Sequence, residues 1–309
     1  MMKKLLLALG AAVVLLTAGS LCNVFAADLI NVRPKKPTTP VPVINAEHHN
    51  TLKVMTMNVR VANETDPYPW SKRKIVMREF LKVHQPDVFG TQETFYFVIK
   101  DLLEGGSDYD WVGLGREGGT KGEFMAIFYK KNRFEPLEYD HLWLSENPRL
   151  IGSMSWDTAC TRMVTWVRFL DKETGQQFYF VNTHLDHISQ LARVNGAKVI
   201  AGAIAKLDKK LPLFLTGDFN TPSTNAEVHD VFINLGLSDT WDTAERHSDQ
   251  YATYNAFKAP QKDGPRIDWI FTRAGMKVYS TDIILNKEGA VYVSDHFPVI
   301  SIVEWPAKK

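Results

Sequence analysis

A chain of 309 residues with 36 Lys and Arg against 35 Asp and Glu carries a net charge of +1, which excludes a general electrostatic attraction to polyanions as its organising property. Hydrophobic residues make up 45% of it, enough to build a sizeable core and to exclude a disordered or fibrous class. With only two cysteines, Cys22 and Cys160, neither a disulfide framework nor a thiolate zinc cluster is available.

Taken in chain order, residues 1–19 place Lys3 and Lys4 ahead of an apolar run, and Val24 to Ala26 supply small residues where a signal peptidase needs them. That pattern predicts a secretory signal over 1–26, cleaved after Ala26. Lipidation at Cys22 is the alternative, disfavoured by the bulky Leu21 before it. The apolar run from Leu5 to Leu16 is shorter than the roughly 20 residues that span a bilayer. The mature chain is therefore expected to be exported, to the periplasm or the medium, with no transmembrane segment and with Cys160 unpaired. Residues 27–50, interrupted by Pro34, Pro37, Pro40 and Pro42, read as a linker. Residues 51–309 read as one catalytic domain without internal repeats.

Within that domain a strand over 51–57 ends at Asn58, with Arg60 two residues further on. A helix over 70–83 is expected to bury Ile75, Val76, Phe80 and Val83, and Pro86 stops it. A short strand over 87–90 ends in Thr91-Gln92-Glu93, and one over 178–182 runs into Thr183-His184-Leu185-Asp186-His187. A helix over 189–207, capped by Ser189, carries Leu191, Val194, Val199, Ile200 and Leu207 near helical spacing. The apolar run from Leu211 stops on Gly217-Asp218-Phe219-Asn220. Alternation places Asp218 and Asn220 on one side and Phe219 on the other, while Asn220-Thr221-Pro222 is turn chemistry. Asp268 then lies in a strand, and Ser294-Asp295-His296 precedes the last one. Two packed sheets with helices outside would bring these strand ends to one rim.

Carboxylates and amides at that rim suit a hard divalent cation, Mg2+ or Mn2+, which takes oxygen ligands and only one or two carboxylates. Glu93 and Asp295 are the candidate carboxylate ligands, with Asn58, Asn220 and Asp218 as further polar groups. Zinc would draw instead on His184, His187 and His296, which the oxygen donors outnumber. Such an array serves phosphoester hydrolysis, where a cation and hydrogen-bond donors offset phosphoryl charge and a base activates water. His296 with Asp268 would make an oriented proton-transfer pair.

Asn58, Gln92-Glu93, Asn182 to Leu185, Gly217 to Asn220, the segment around Asp268, and Ser294 to Pro298 stand in an order that resembles the endonuclease/exonuclease/phosphatase superfamily, whose fold is that of DNase I. The resemblance implies an α/β (α+β) fold, a four-layered α/β/β/α sandwich. It also implies that Glu93 ligates the metal with Asn58 and Asp295 close by, and that His184 contacts or protonates around the phosphate. Asp218 with Asn220 would position the attacking water, and His296, held by Asp268, would act as general base or charge-stabilising imidazole. Residues 113–124, 142–148 and 161–166 are similar to a secreted bacterial branch. Arg60, Arg116 and Arg162 would clamp phosphate oxygens, against a reading as structural ion pairs, with Asp186 and His187 extending the site. Trp143, Trp156, Tyr254 and Phe257 would stack on substrate or belong to the core.

The expected function is an exported metal-dependent phosphoesterase, a phosphodiesterase acting on a phosphorylated small molecule or nucleic-acid fragment, with no obligate protein partner. A scavenging nuclease is the alternative within the enzyme class, and a noncatalytic binding module the alternative outside it.

Overall fold

A computed structural model describes residues 50–273, 275–288 and 291–305. The signal segment over 1–26, Cys22 and the linker up to residue 49 lie outside the described residues. The strand Thr51–Asn58 shows how the layers arise: Leu52 and Val54 enter one apolar cluster, and Met55 and Met57 enter another on the opposite side. Alternation along an extended chain gives each strand two buried faces of different partners.

The first sheet runs Ala244–His247, Val278–Ile283, Val299–Glu304, Thr51–Asn58, Val88–Gln92, Ile127–Lys130, Tyr109–Val112. The second runs Leu237–Asp239, Asp268–Arg273, Leu213–Asp218, Gln177–His184, Met163–Asp171, Phe134–Trp143. Leu52, Val54 and Val303 from the first meet Phe178, Phe180, Phe214 and Ile270 from the second in one buried layer between them. Helices α1 (Trp70–His84) and α2 (Tyr96–Leu103) cover the outer face of the first sheet over Met55, Met57 and Phe89. Helices α3 (Gln190–Ile204) and α4 (Ala226–Ile233) cover the second over Val181, Leu213 and Leu215. The result is the four-layered α/β/β/α sandwich.

Two helix faces differ from the expected ones. In α1 the buried residues are Trp70, Arg73, Met77, Phe80, Leu81 and His84, whereas Ile75 and Val83 are 58% and 43% exposed. The buried stripe starts from Trp70 and includes two polar side chains, so an apolar count alone picked the neighbouring face. In α3 Ser189 caps the start, its side chain accepting from the Ala192 amide, and Ile200 is buried, but Leu191 is 55% exposed. Leu207 lies beyond the end of that helix and packs partly against its cluster.

Two parallel pairs organise the site: Thr51–Asn58 with Val88–Gln92, and Gln177–His184 with Leu213–Asp218. Asn58 stands opposite Gln92, and Asp218 stands opposite both His184 and Asp268. Asn58, His184, Asp218 and Asp268 share strand parity with Val54, Phe180, Phe214 and Ile270, so they point into the layer between the sheets at its open end. Below them the layer turns polar. Gln92 Nε2 donates to Asn182 Oδ1 at 2.7 Å, and Asn182 Nδ2 donates to the carbonyls of Thr91 and Ala126 at 2.8 and 3.0 Å.

Candidate active site

Glu93 leaves its strand in a left-handed conformation, φ 59°, which turns its carboxylate into the cleft. Oε1 accepts from Asn58 Nδ2 at 2.9 Å, and Oε2 accepts from the Val61 amide at 2.8 Å. Asn58 Nδ2 also donates to Asp218 Oδ2 at 3.0 Å, and its Oδ1 accepts from the Arg60 amide at 2.9 Å. Asn58 is thus the link between the Glu93 end and the middle of the cleft. Asp295 lies beside them, 3.7 Å from Arg60 Nε. Burial and then the charge of Glu93 raise its pKa against the pull of His296 and Arg60.

In the middle, His296 Nδ1 pairs with Asp268 Oδ2 at 2.9 Å, and its Nε2 is 3.8 Å from Asp218 Oδ2. Burial opposes charge on His296, but the carboxylates of Asp268, Asp218 and Asp295 outweigh it and push the imidazole up to about 10. Asp218 is raised by burial and by Asp268, which brings a carboxylate toward the range of a base working near neutrality. His184 is driven the other way, well below the usual imidazole range, by burial and by the charges of Arg162, His296, Arg116 and His187. It is therefore a neutral imidazole. Its Nε2 lies 2.9 Å from Asn220 Nδ2 and 3.4 Å from Asp218 Oδ2.

The turn after Asp218 makes this possible. Asn220 is left-handed, φ 50°; its amide bonds Asp218 Oδ1 at 2.9 Å while its side chain bonds the Leu185 carbonyl at 3.0 Å. Phe219 points away into the helix-side cluster and stacks on Trp269 at 4.3 Å. Thr253 Oγ1 accepts from the Ile267 and Asp268 amides, and Ser294 Oγ donates to the Asn58 carbonyl at 2.7 Å. These two hydroxyls fix the Asp268 and His296 segments, a role that no motif around Thr253 marks.

A cleft of about 470 Å3 is lined by Glu93, Asp295 and Arg60, by Arg116, Arg162 and His187, and by His184, Asp218, Asn220 and His296. Arg60 is held by both oxygens of Asp66 at 2.9 and 3.0 Å, and Arg116 by both oxygens of Glu123 at 2.9 and 3.0 Å. Both arginines combine the structural pair and the cleft position that their sequence left open. Arg162 is 5% exposed, its Nη2 lies 2.8 Å from His187 Nδ1, and its buried Nε lies 3.6 Å from the Asp186 carboxylate.

Asp186 does not line the cleft. It accepts from the amides of Ile188, Ser189 and Ala159 and from the Thr158 hydroxyl, and against burial these bonds hold its carboxyl below the usual range. Its work is to fix the loop that carries His187. Trp143 is buried with Met125 and Met163 and anchors the Arg116 carbonyl through its indole at 2.7 Å. Phe257 packs on Tyr68, and Trp156 is half-buried in the loop beside Ser189. Tyr254 alone of these aromatics lines the cleft, 50% exposed and 5.1 Å from the His296 ring. Glu123 and Cys160, also in the wall, were not read from the sequence; the glycine-rich turn between Arg116 and Glu123, with Gly118, Gly119 and Gly122, was the available signal for the first.

Glu93 and Asp295 offer carboxylate oxygens, with Asn58 bonded to Glu93 through its amide nitrogen, and the mutual repulsion of the two carboxylates is what a bound cation would relieve, so this pair fits Mg2+ or Mn2+. Among the described residues, the three histidines do not gather into one donor cluster. Asp218, Asp268 and His296 do bring ligand atoms within 4.8 Å, which their hydrogen bonding already explains.

A model of the Endonuclease/Exonuclease/phosphatase family matches residues 55–296. Among solved structures, the mannosyl-6-phosphatase Bt3783 of Bacteroides thetaiotaomicron is 35% identical with a TM-score of 0.78, over 82% of this chain and 100% of that one. The catalytic domain of human Nocturnin is 20% identical with a TM-score of 0.61, over 83% and 94%, a likeness of fold. Uncharacterized protein L388 of Acanthamoeba polyphaga mimivirus is 24% identical over 82% of this chain and 100% of its own length.

Proposed function

The chain belongs to the endonuclease/exonuclease/phosphatase family, whose members hydrolyse phosphoesters, and on that premise we propose that it is an exported, divalent-metal-dependent phosphatase of small phosphorylated sugars. The observation that carries this reading is Arg162, a buried guanidinium in the cleft wall beside Arg116 and the neutral His184. A terminal phosphate monoester brings more charge than a diester, and the guanidinium groups of Arg116 and Arg162 in the cleft wall suit that extra charge. The volume of the cleft falls within the usual range for small ligands, roughly 300–1,000 Å3. Arg116 with Glu123, and His187, offer fixed donors and acceptors for the hydroxyls of a sugar. The 35% identity to a protein named a mannosyl-6-phosphatase points the same way, as does the near-neutral charge, which argues against a long polyanion.

Glu93 and Asp295, with Asn58 beside them, would hold the cation, which when bound offsets charge on the phosphoryl oxygens. The chain's own groups supply the rest. Asp218, raised by burial and steadied by Asn58 and the Asn220 amide, takes the proton of the attacking water. His296, held charged by Asp268, faces the charge that develops on the phosphoryl group. Asn220 and neutral His184, bonded to each other at 2.9 Å, form the wall against which the phosphate rests.

The test is to incubate the protein with Mg2+ or Mn2+ and, side by side, hexose 6-phosphates, a generic phosphodiester, DNA and RNA. Phosphate release from the hexose phosphates at a higher kcat/KM than cleavage of the others supports the reading. Preference for the diester restores the phosphodiesterase, and preference for DNA or RNA restores the nuclease.

A further inference from the structure

Arg73 lies on α1, outside the cleft, and is fully buried. All of its donors end on main-chain carbonyls: Nε on Tyr68 at 2.8 Å, Nη1 on Val59 at 2.5 Å and Val293 at 3.4 Å, Nη2 on Arg60 at 3.2 Å and Val61 at 3.0 Å. A guanidinium has five N–H groups, so each has one partner. Its carbon also sits 5.3 Å from the centre of the Trp70 ring. Burying a charge without a directly paired carboxylate is costly unless every donor is satisfied. Such an arrangement calls for a return elsewhere.

The carbonyls show where. Three consecutive ones, of Val59, Arg60 and Val61, converge on one group because Arg60 is left-handed, φ 58°. Turning those carbonyls toward Arg73 sends the amides of the same segment the other way. The Arg60 amide then meets Asn58 Oδ1, and the Val61 amide meets Glu93 Oε2. The segment that carries the Val293 carbonyl leads directly into Ser294, Asp295 and His296. Ser294 in turn bonds the Asn58 carbonyl.

We infer that Arg73 is a positioning residue: its guanidinium clasps the 59–61 turn to Val293 and thereby aims Glu93, Asn58 and Asp295 at a common point. The reasoning rests on the site described under the proposed function, and its test separates the two. Lysine keeps the charge but offers three donors from one nitrogen, so it cannot span the five carbonyls of 59–61, Tyr68 and Val293. Hydrogen exchange of residues 58–62, read without metal or substrate, is expected to quicken at least about tenfold in Arg73→Lys and Arg73→Gln, since those amides lose their clasp, while exchange across α3 stays unchanged. Manganese binding followed by electron paramagnetic resonance is expected to need at least about tenfold more metal in both variants, the size of one lost charge-assisted hydrogen bond on a ligand. Unchanged exchange at 58–62, or unchanged manganese affinity in a folded variant, overturns the inference. A general loosening that speeds exchange equally in α3 also overturns it, since that marks a merely structural role. A wild type that binds manganese yet releases no phosphate counts against the proposed function alone.

Discussion

Gln92 of the first sheet donates its side-chain amide to Asn182 of the second at 2.7 Å, inside the layer between the sheets and with both residues fully buried. Thr216 Oγ1 donates to the same Asn182 oxygen at 3.2 Å, and a Cβ built on Gly90 would lie 2.4 Å from that oxygen. The two sheets are therefore joined by a polar bridge directly beneath Asn58 and Asp218. Apolar packing there would leave the facing strands free to slide, whereas directional bonds fix their relative register.

Removing the bridge is expected to be expensive. Asn182→Ala removes one hydrogen bond each from Gln92 Nε2, which keeps Thr56 Oγ1, from the Ala126 carbonyl, which keeps the Thr91 amide, and from the Thr91 carbonyl, each worth about 0.5–1.5 kcal/mol, and it leaves a cavity besides. Chemical denaturation should show a loss of about 3 kcal/mol or more in unfolding free energy. A loss below 1 kcal/mol would mean that water or a neighbour takes over these bonds.

Asp268→Asn is expected to leave the fold intact and remove the main charge that keeps His296 protonated. The imidazole, pushed up to about 10 in the wild type, should then titrate nearer its ordinary value, as followed by NMR of the ring. Losing the oriented, charged form should lower kcat by about a hundredfold or more at neutral pH. An unchanged titration would show that Asp268 does not set the charge of His296.

His84 provides a pH test away from the site. Its ring is buried against Phe80 at 4.2 Å with Nδ1 unpaired, and burial together with the charge of Lys53 pushes its pKa down to about 4. Unfolding restores a value near 6.5, so the unfolded chain binds the extra proton between those values. Stability from this group is full above about pH 6.5 and is lost progressively down to about pH 4, with about 2 kcal/mol gone between pH 7 and pH 5. His84→Phe keeps the aromatic contact and should flatten that part of the profile. Parallel pH profiles for wild type and variant would contradict the assignment.

Arg162→Met tests the monoester reading. It is expected to raise KM for a hexose phosphate at least about tenfold, the value of one charge-assisted hydrogen bond, and to change a diester far less. Equal losses on both substrates would assign Arg162 to general phosphate binding.

The strand ends were legible in the sequence because a polar residue that closes an apolar strand stands out by parity. Asn58, Glu93, His184, Asp218, Asn220, Asp268, Asp295 and His296 were all found that way or through the ordered motifs, and all line or border one cleft. Arg73 and Asn182 were not, for a shared reason: a charge on a helix and an amide within a strand read locally as solvated face and motif filler. Their burial depends on which carbonyls or side chains arrive from elsewhere in the chain. Asp186 stands between the two cases: four local donors bond its oxygens, and it reaches the cleft only through Arg162, whose Nε lies 3.6 Å from it. Ile75 and Val83 follow the same logic, because the face that α1 buries is set by Trp70 and by the clasp of Arg73.

The most direct test is phosphate release from a hexose 6-phosphate, measured for wild type and Glu93→Gln with Mg2+ or Mn2+ and again after chelation. The site described here requires metal-stimulated release by the wild type, its loss on chelation, and a fall of at least about a hundredfold in the folded Glu93→Gln variant. Release that survives chelation, or a Glu93→Gln variant as active as the wild type, would contradict it.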